Sequence, residues 1–123
     1  MDLTLSVQGA GGLLLASLLS GLWLNRRGRP LAKALVTAHK LISLGAAAFF
    51  VAALMQGSRT AAPGVSVWAA AVVAGMGFVA AVASGGLLSG ERPLPPTILR
   101  VHQVGMALMT VFGAATLYLL LAG

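Results

Sequence analysis

Long apolar stretches dominate the chain and are broken at three places by short polar segments. Residues 5–24, 31–55, 65–88 and 96–121 each carry few or no charges over about 20 residues, the length at which a helix crosses the hydrocarbon core of a bilayer. The breaks fall at Asn25 to Pro30, Gln56 to Gly64 and Ser89 to Pro96, which gather glycine, proline, serine and most of the charge. Pro30 suits the first turn of the second helix, where a missing N–H costs nothing. The pattern predicts an all-α fold: one integral membrane domain over 1–123, built as a four-span transmembrane helical bundle.

A second regularity lies over the first. Arg29-Pro30-Leu31 precedes His39 at the same spacing at which Arg92-Pro93-Leu94 precedes His102. The same 63-residue shift superposes Gly12 on Gly75, Leu24 on Leu87, Phe49 on Phe112, Ala52 on Ala115 and Leu54 on Leu117. A gapless register of this kind points to two related halves, 1–62 and 63–123. Spans two and four then enter the membrane from one side, so the halves are expected to be parallel helical-hairpin repeats.

Composition supports the bilayer and narrows the chemistry. The chain is 59% hydrophobic and 8% charged, with a mean hydropathy of +0.96. It has no cysteine, which removes disulfides and thiolate metal sites. The net charge of +6 comes from a few basic residues at the ends of apolar runs, a placement that suits membrane anchoring and not nucleic acid. Every lysine and arginine except Arg59 falls on the side of the first and third connections. By the positive-inside rule that side is cytoplasmic and both termini face outward, as in the cytoplasmic membrane of a bacterium. Span one is expected to stay as an anchor, because Asp2 precedes it and its positive charges follow it, the reverse of a secretory signal.

The candidate chemistry is the histidine pair. His39 and His102 lie roughly 12 Å along their helices from Leu31 and Leu94, deep enough that an ionisable side chain suggests function. Two neutral imidazoles at matched depth suit six-coordinate haem iron, held between facing helices of a bundle. Ser43 on span two, and Gly105 and Met106 on span four, lie one turn from the histidines and would let a flat macrocycle approach the backbone. Arg29, Lys33, Lys40, Arg92 and Arg100 form a basic rim for its propionates. Competing chemistries lack parts. Zinc needs three or four donors, and no carboxylate or thiol lies within the spans. Copper(I) could use both histidines and Met106, but Ser43 stands at the position matching Met106. Proton-coupled export lacks a buried carboxylate, and no phosphate-binding loop is present.

With His39, His102, their helical setting and the basic rim, the chain resembles the membrane-bound b-type cytochromes, whose four-helix cores ligate haem through one histidine on each of two facing helices. The resemblance implies one haem b per chain, with His39 and His102 as axial ligands. It also implies one-electron transfer with a quinone, a redox protein or another haem, a role of electron transfer or haem binding more than that of a stand-alone enzyme. Many relatives hold two histidine pairs and two haems; this chain has one pair, so a lone monomer is not expected to carry an electron across the membrane. A haem carrier or sensor, and a haem-free structural subunit of a larger complex, remain alternatives. The many small residues would also let the chain pack beside copies of itself.

Overall fold

The computed structural model describes residues 1–123 as four α-helices with no strands. They are α1 (Leu3–Arg27), α2 (Lys33–Thr60), α3 (Val65–Leu88) and α4 (Pro96–Ala122). All four are long and apolar enough to cross a membrane, which gives the chain the build of an integral membrane protein. Large apolar side chains such as Leu19, Leu44, Val79, Val104 and Val111 stand exposed, as surfaces facing acyl chains do.

The helix ends depart from the hydropathy boundaries because capping groups, not apolar runs, set them. Asp2 caps α1, its Oδ1 accepting the Leu5 N–H at 2.7 Å. At the other end α1 continues past Leu24 to Arg27, with Arg26 and Arg27 complementing the negative end of the helix dipole. Gly28 stops it at φ 69°, a left-handed conformation that suits glycine, and its N–H bonds the Leu24 carbonyl. Helix α2 begins at Lys33, behind an extended Ala32, so Pro30 lies in the connection and not in the first helical turn. The segment Gln56 to Thr60, expected as part of a turn, is the last stretch of α2. Ser58 Oγ donates to the Leu54 carbonyl and Thr60 Oγ1 to the Gly57 carbonyl, and Arg59 sits in the last turn. The second connection shrinks to residues 61–64. Pro96 occupies the first position of α4, where its missing N–H is harmless. Helices α2 and α4 thus start at positions that the 63-residue shift relates.

The chain divides into two compact units, Met1–Gly64 with Leu117–Gly123, and Val65–Thr116. The last turns of α4 belong to the first unit, where Leu120 packs on Gly57. Within the first unit α1 and α2 pair antiparallel. Phe49 lies over Gly9, Leu13 over Gly45, the Ser17 and Ser43 hydroxyls share a hydrogen bond at 2.5 Å, and Ser20 meets His39. The seam uses small and hydroxylated residues, with Ser6 and Ser17 fully buried and Ala10 and Ala46 nearly so.

The second unit packs differently. Val67, Ala70, Ala74, Gly77, Ala81 and Ser84 form a buried stripe on α3 at alternating spacings of three and four, the period of a close left-handed helix seam. Opposite them on α4 lie Gly105 and Met109. At Gly77 and Gly105 the two backbones touch. A Cβ on Gly77 would come within 2.7 Å of the Gly105 carbonyl oxygen, and one on Gly105 within 2.8 Å of the Gly77 carbonyl oxygen. Neither has a flexible side chain that could yield.

The glycines therefore make a sharp test. Gly77→Ala or Gly105→Ala should separate α3 from α4 and lower thermal stability in detergent by on the order of 1–3 kcal/mol, the usual cost of overpacking. Gly12→Ala and Gly75→Ala, where nothing lies within 4 Å of the new methyl, should be neutral or slightly stabilising. Equal melting temperatures for all four variants would contradict the close seam.

Candidate functional site

Each histidine is the seventh residue of its helix and lies half-buried against the first helix of its own hairpin. What it meets there is nearly the same in both units. In the first, Ser20 and Gly21 of α1 face His39: Ser20 Oγ lies 2.8 Å from Nδ1, and a Cβ on Gly21 would stand 3.1 Å from Cε1. In the second, Ser84 and Gly85 of α3 face His102: Ser84 Oγ lies 3.3 Å from Nδ1, and a Cβ on Gly85 would stand 3.0 Å from Cε1. A serine–glycine pair thus seats both rings by their Nδ1–Cε1 edge. The glycine leaves room for the ring, and the serine holds its nitrogen. The two pairs are related by a shift of 64 residues and the histidines by 63.

The hydrogen-bond network assigns the tautomer. In the second unit Nδ1 of His102 lies 2.9 Å from the Ala81 carbonyl oxygen. A carbonyl can only accept, so Nδ1 carries the proton. Ser84 sends its own proton to the Ala80 carbonyl at 2.6 Å, which leaves its oxygen as a second, longer acceptor for the same N–H. In the first unit the serine serves as intermediary. Ser20 Oγ lies 3.0 Å from the Ser17 carbonyl oxygen and 2.8 Å from Nδ1 of His39, between the ring and the backbone of α1. His102 is thus protonated on Nδ1, which makes Nε2 its nitrogen with the lone pair. Metal-bound histidines are commonly held this way, the second nitrogen donating to a carbonyl or another acceptor.

The other candidate residues fall into three places. Ser43 is turned to α1: it bonds Ser17 Oγ and donates to the His39 carbonyl at 2.8 Å. Gly105 is buried in the α3–α4 seam, and Met106 beside it is half-buried. Arg29, Lys33, Lys40, Arg92 and Arg100 are all exposed, at or near the ends of the helices that carry the histidines. Arg100 lines a groove between α3 and α4 together with Thr97 and Val104. No group of three or more histidine, cysteine or acidic side chains gathers anywhere in the fold. Zinc of the usual kind needs three or four protein donors; axial ligation of haem needs two.

Sequence reasoning missed the seat itself. Ser20 and Gly21 were legible as small positions of span one, but their pairing with a histidine was not. The available signal is the Ser-Gly dipeptide, which occurs near the end of both first helices, at 20–21 and at 84–85. No protein-family model, curated protein or solved structure matches the chain.

Ser20→Ala should cost more than Ser84→Ala. The first removes the Ser20 hydroxyl from its contact with Nδ1 of His39, at roughly 0.6–1.7 kcal/mol for an interhelical bond within a membrane, while His102 keeps the Ala81 carbonyl. Unfolding each variant in mixed micelles gives the comparison, and a larger loss for Ser84→Ala would contradict the assigned network.

Proposed function

We propose that the protein is a membrane b-type cytochrome that binds one haem b per chain, with His39 and His102 as axial ligands. The observation that carries this reading is the shared seat: each histidine meets, at its Nδ1–Cε1 edge, a serine and a glycine of the first helix of its own hairpin. Haem supplies a one-electron Fe(III)/Fe(II) couple when bound. The chain's own part is to hold each ring at a fixed orientation. Nδ1–H, bonded to a serine or carbonyl oxygen, strengthens the ring as a ligand. With His39 and His102 both holding the iron, the group would supply electron transfer with a quinone or a redox protein, not oxygen activation. Arg29, Lys33, Lys40 and Arg92 supply cations for the propionates, on the side we assign to the cytoplasm by the positive-inside rule. Both termini are then outside.

A second reading is favoured by the same hydrogen bonds. An imidazole that bonds its neighbouring helix is also a helix-joining group, and a haem-free structural subunit would use it for that alone. The readings separate in an absorption spectrum of the purified protein, expressed with haem supplied. The cytochrome reading expects sharp reduced α and Soret bands, lost at least tenfold in His39→Ala and in His102→Ala, each eluting as a folded species. A colourless wild type, with both variants less stable than the parent, would leave the structural role. Haem that washes out during purification would indicate a carrier.

A further inference from the structure

The second unit carries a groove that the histidines do not use. It has a volume of about 290 Å³ and runs in the crease between α3 and α4, with Gly77 and Gly105 among its lining residues. Met76, Ala80, Val104 and Leu108 make its walls apolar, and Thr97 and Arg100 stand at one end. His102 is not part of the lining, since a helix turn of about 100° per residue carries Arg100, Val104 and Leu108 well round from it. The groove exists because the two glycines bring the backbones into contact and leave nothing to fill the crease.

We propose that this groove binds one anionic phospholipid, with an acyl chain along the apolar walls and its phosphate on Arg100 and Thr97. Three features support this occupant. From Thr97 to Leu108 the helix rises roughly 16 Å, about half the thickness of a hydrocarbon core, which is the reach of one leaflet from headgroup to midplane. Arg100 is the one charged residue that borders the groove, whose walls are almost wholly apolar, and it stands in the first turns of α4, where a headgroup would lie. A guanidinium binds phosphate with two parallel N–H donors, and the Thr97 hydroxyl adds another. Finally, the chain offers this cation little competition: its only acids are Asp2, which caps α1, and Glu91, which lies outside the lining. The site stands independently of haem ligation and takes Arg100 out of the propionate rim.

The test is native mass spectrometry of the full chain in detergent, titrated with phosphatidylglycerol and with phosphatidylcholine of identical acyl chains. Wild type should prefer the anionic lipid by on the order of fivefold, the factor expected for one interfacial cation. Arg100→Gln should abolish the preference while keeping residual binding of both lipids. Val104→Phe, which fills the crease, should weaken both lipids together, and Arg59→Gln should change neither. Equal affinity for the two lipids in wild type, or an equal loss in Arg59→Gln, would overturn the proposal. So would a dimer of the chain that Val104→Phe dissociates, since a second copy would then occupy the groove. Should Val104→Phe fail to elute as wild type does, the Arg100→Gln and Arg59→Gln pair decides alone.

Discussion

A polar group inside an apolar helix must find its partner within the protein, and in this chain that demand determines where the helices touch. Hydrocarbon offers no hydrogen bonds, so an unpaired hydroxyl or imidazole there costs more than it would in water. Most of the hydroxyls in the spans meet the demand locally. Ser43, Ser58, Ser84 and Thr116 each donate to the carbonyl four residues earlier. The imidazoles cannot do so, because their nitrogens reach too far from their own helix, and each bonds the first helix of its hairpin instead. Thr110 is the exception: its Oγ1 is buried without a partner on α4, and the fold gives no account of it.

From that constraint the rest of each hairpin follows. Seating an aromatic ring by its edge against a neighbouring helix requires a position without a side chain, which Gly21 and Gly85 provide. Bonding its nitrogen requires an oxygen one residue before, which Ser20 and Ser84 provide. The short connections, residues 28–32 and 89–95, keep the two helices adjacent so that seat and ring meet. Large aliphatic side chains are left on the surface, where lipid covers them.

How much of this the sequence discloses depends on whether a feature is written in side chains or in the backbone. The four spans are legible because each is a long apolar run, and His39 and His102 are legible because they are the chain's two histidines and follow Arg-Pro-Leu at the same spacing. The ends of α1 and α2 are not, because Gly28 and the hydroxyls of Ser58 and Thr60 override the hydropathy boundary. The Gly77–Gly105 contact is invisible among so many glycines, since Gly12 and Gly75 look the same in sequence and meet nothing. Least legible is the acceptor for His102. Ala81 contributes a carbonyl, which every residue has, and no choice of side chain announces it.

The two units differ in how closely their helices approach, and this explains why equivalent histidines reach their acceptors by different routes. In the first unit a methyl placed on Gly9, Gly45 or Gly57 would meet side chains, those of Phe49, Leu13 and Leu120. In the second, a methyl on Gly77 or Gly105 would meet backbone atoms of the opposing helix. Helices α3 and α4 are therefore in backbone contact near His102, and its Nδ1 can lie 2.9 Å from a main-chain oxygen. Helices α1 and α2 keep a layer of side chains between them, and the Ser20 hydroxyl lies between Nδ1 of His39 and the Ser17 carbonyl. Shifted by 64 residues, Ser17 falls on Ala81, so both chains of hydrogen bonds end on corresponding carbonyls. The same carbonyl position thus orients both rings, directly where the seam is tight and through one hydroxyl where it is wider.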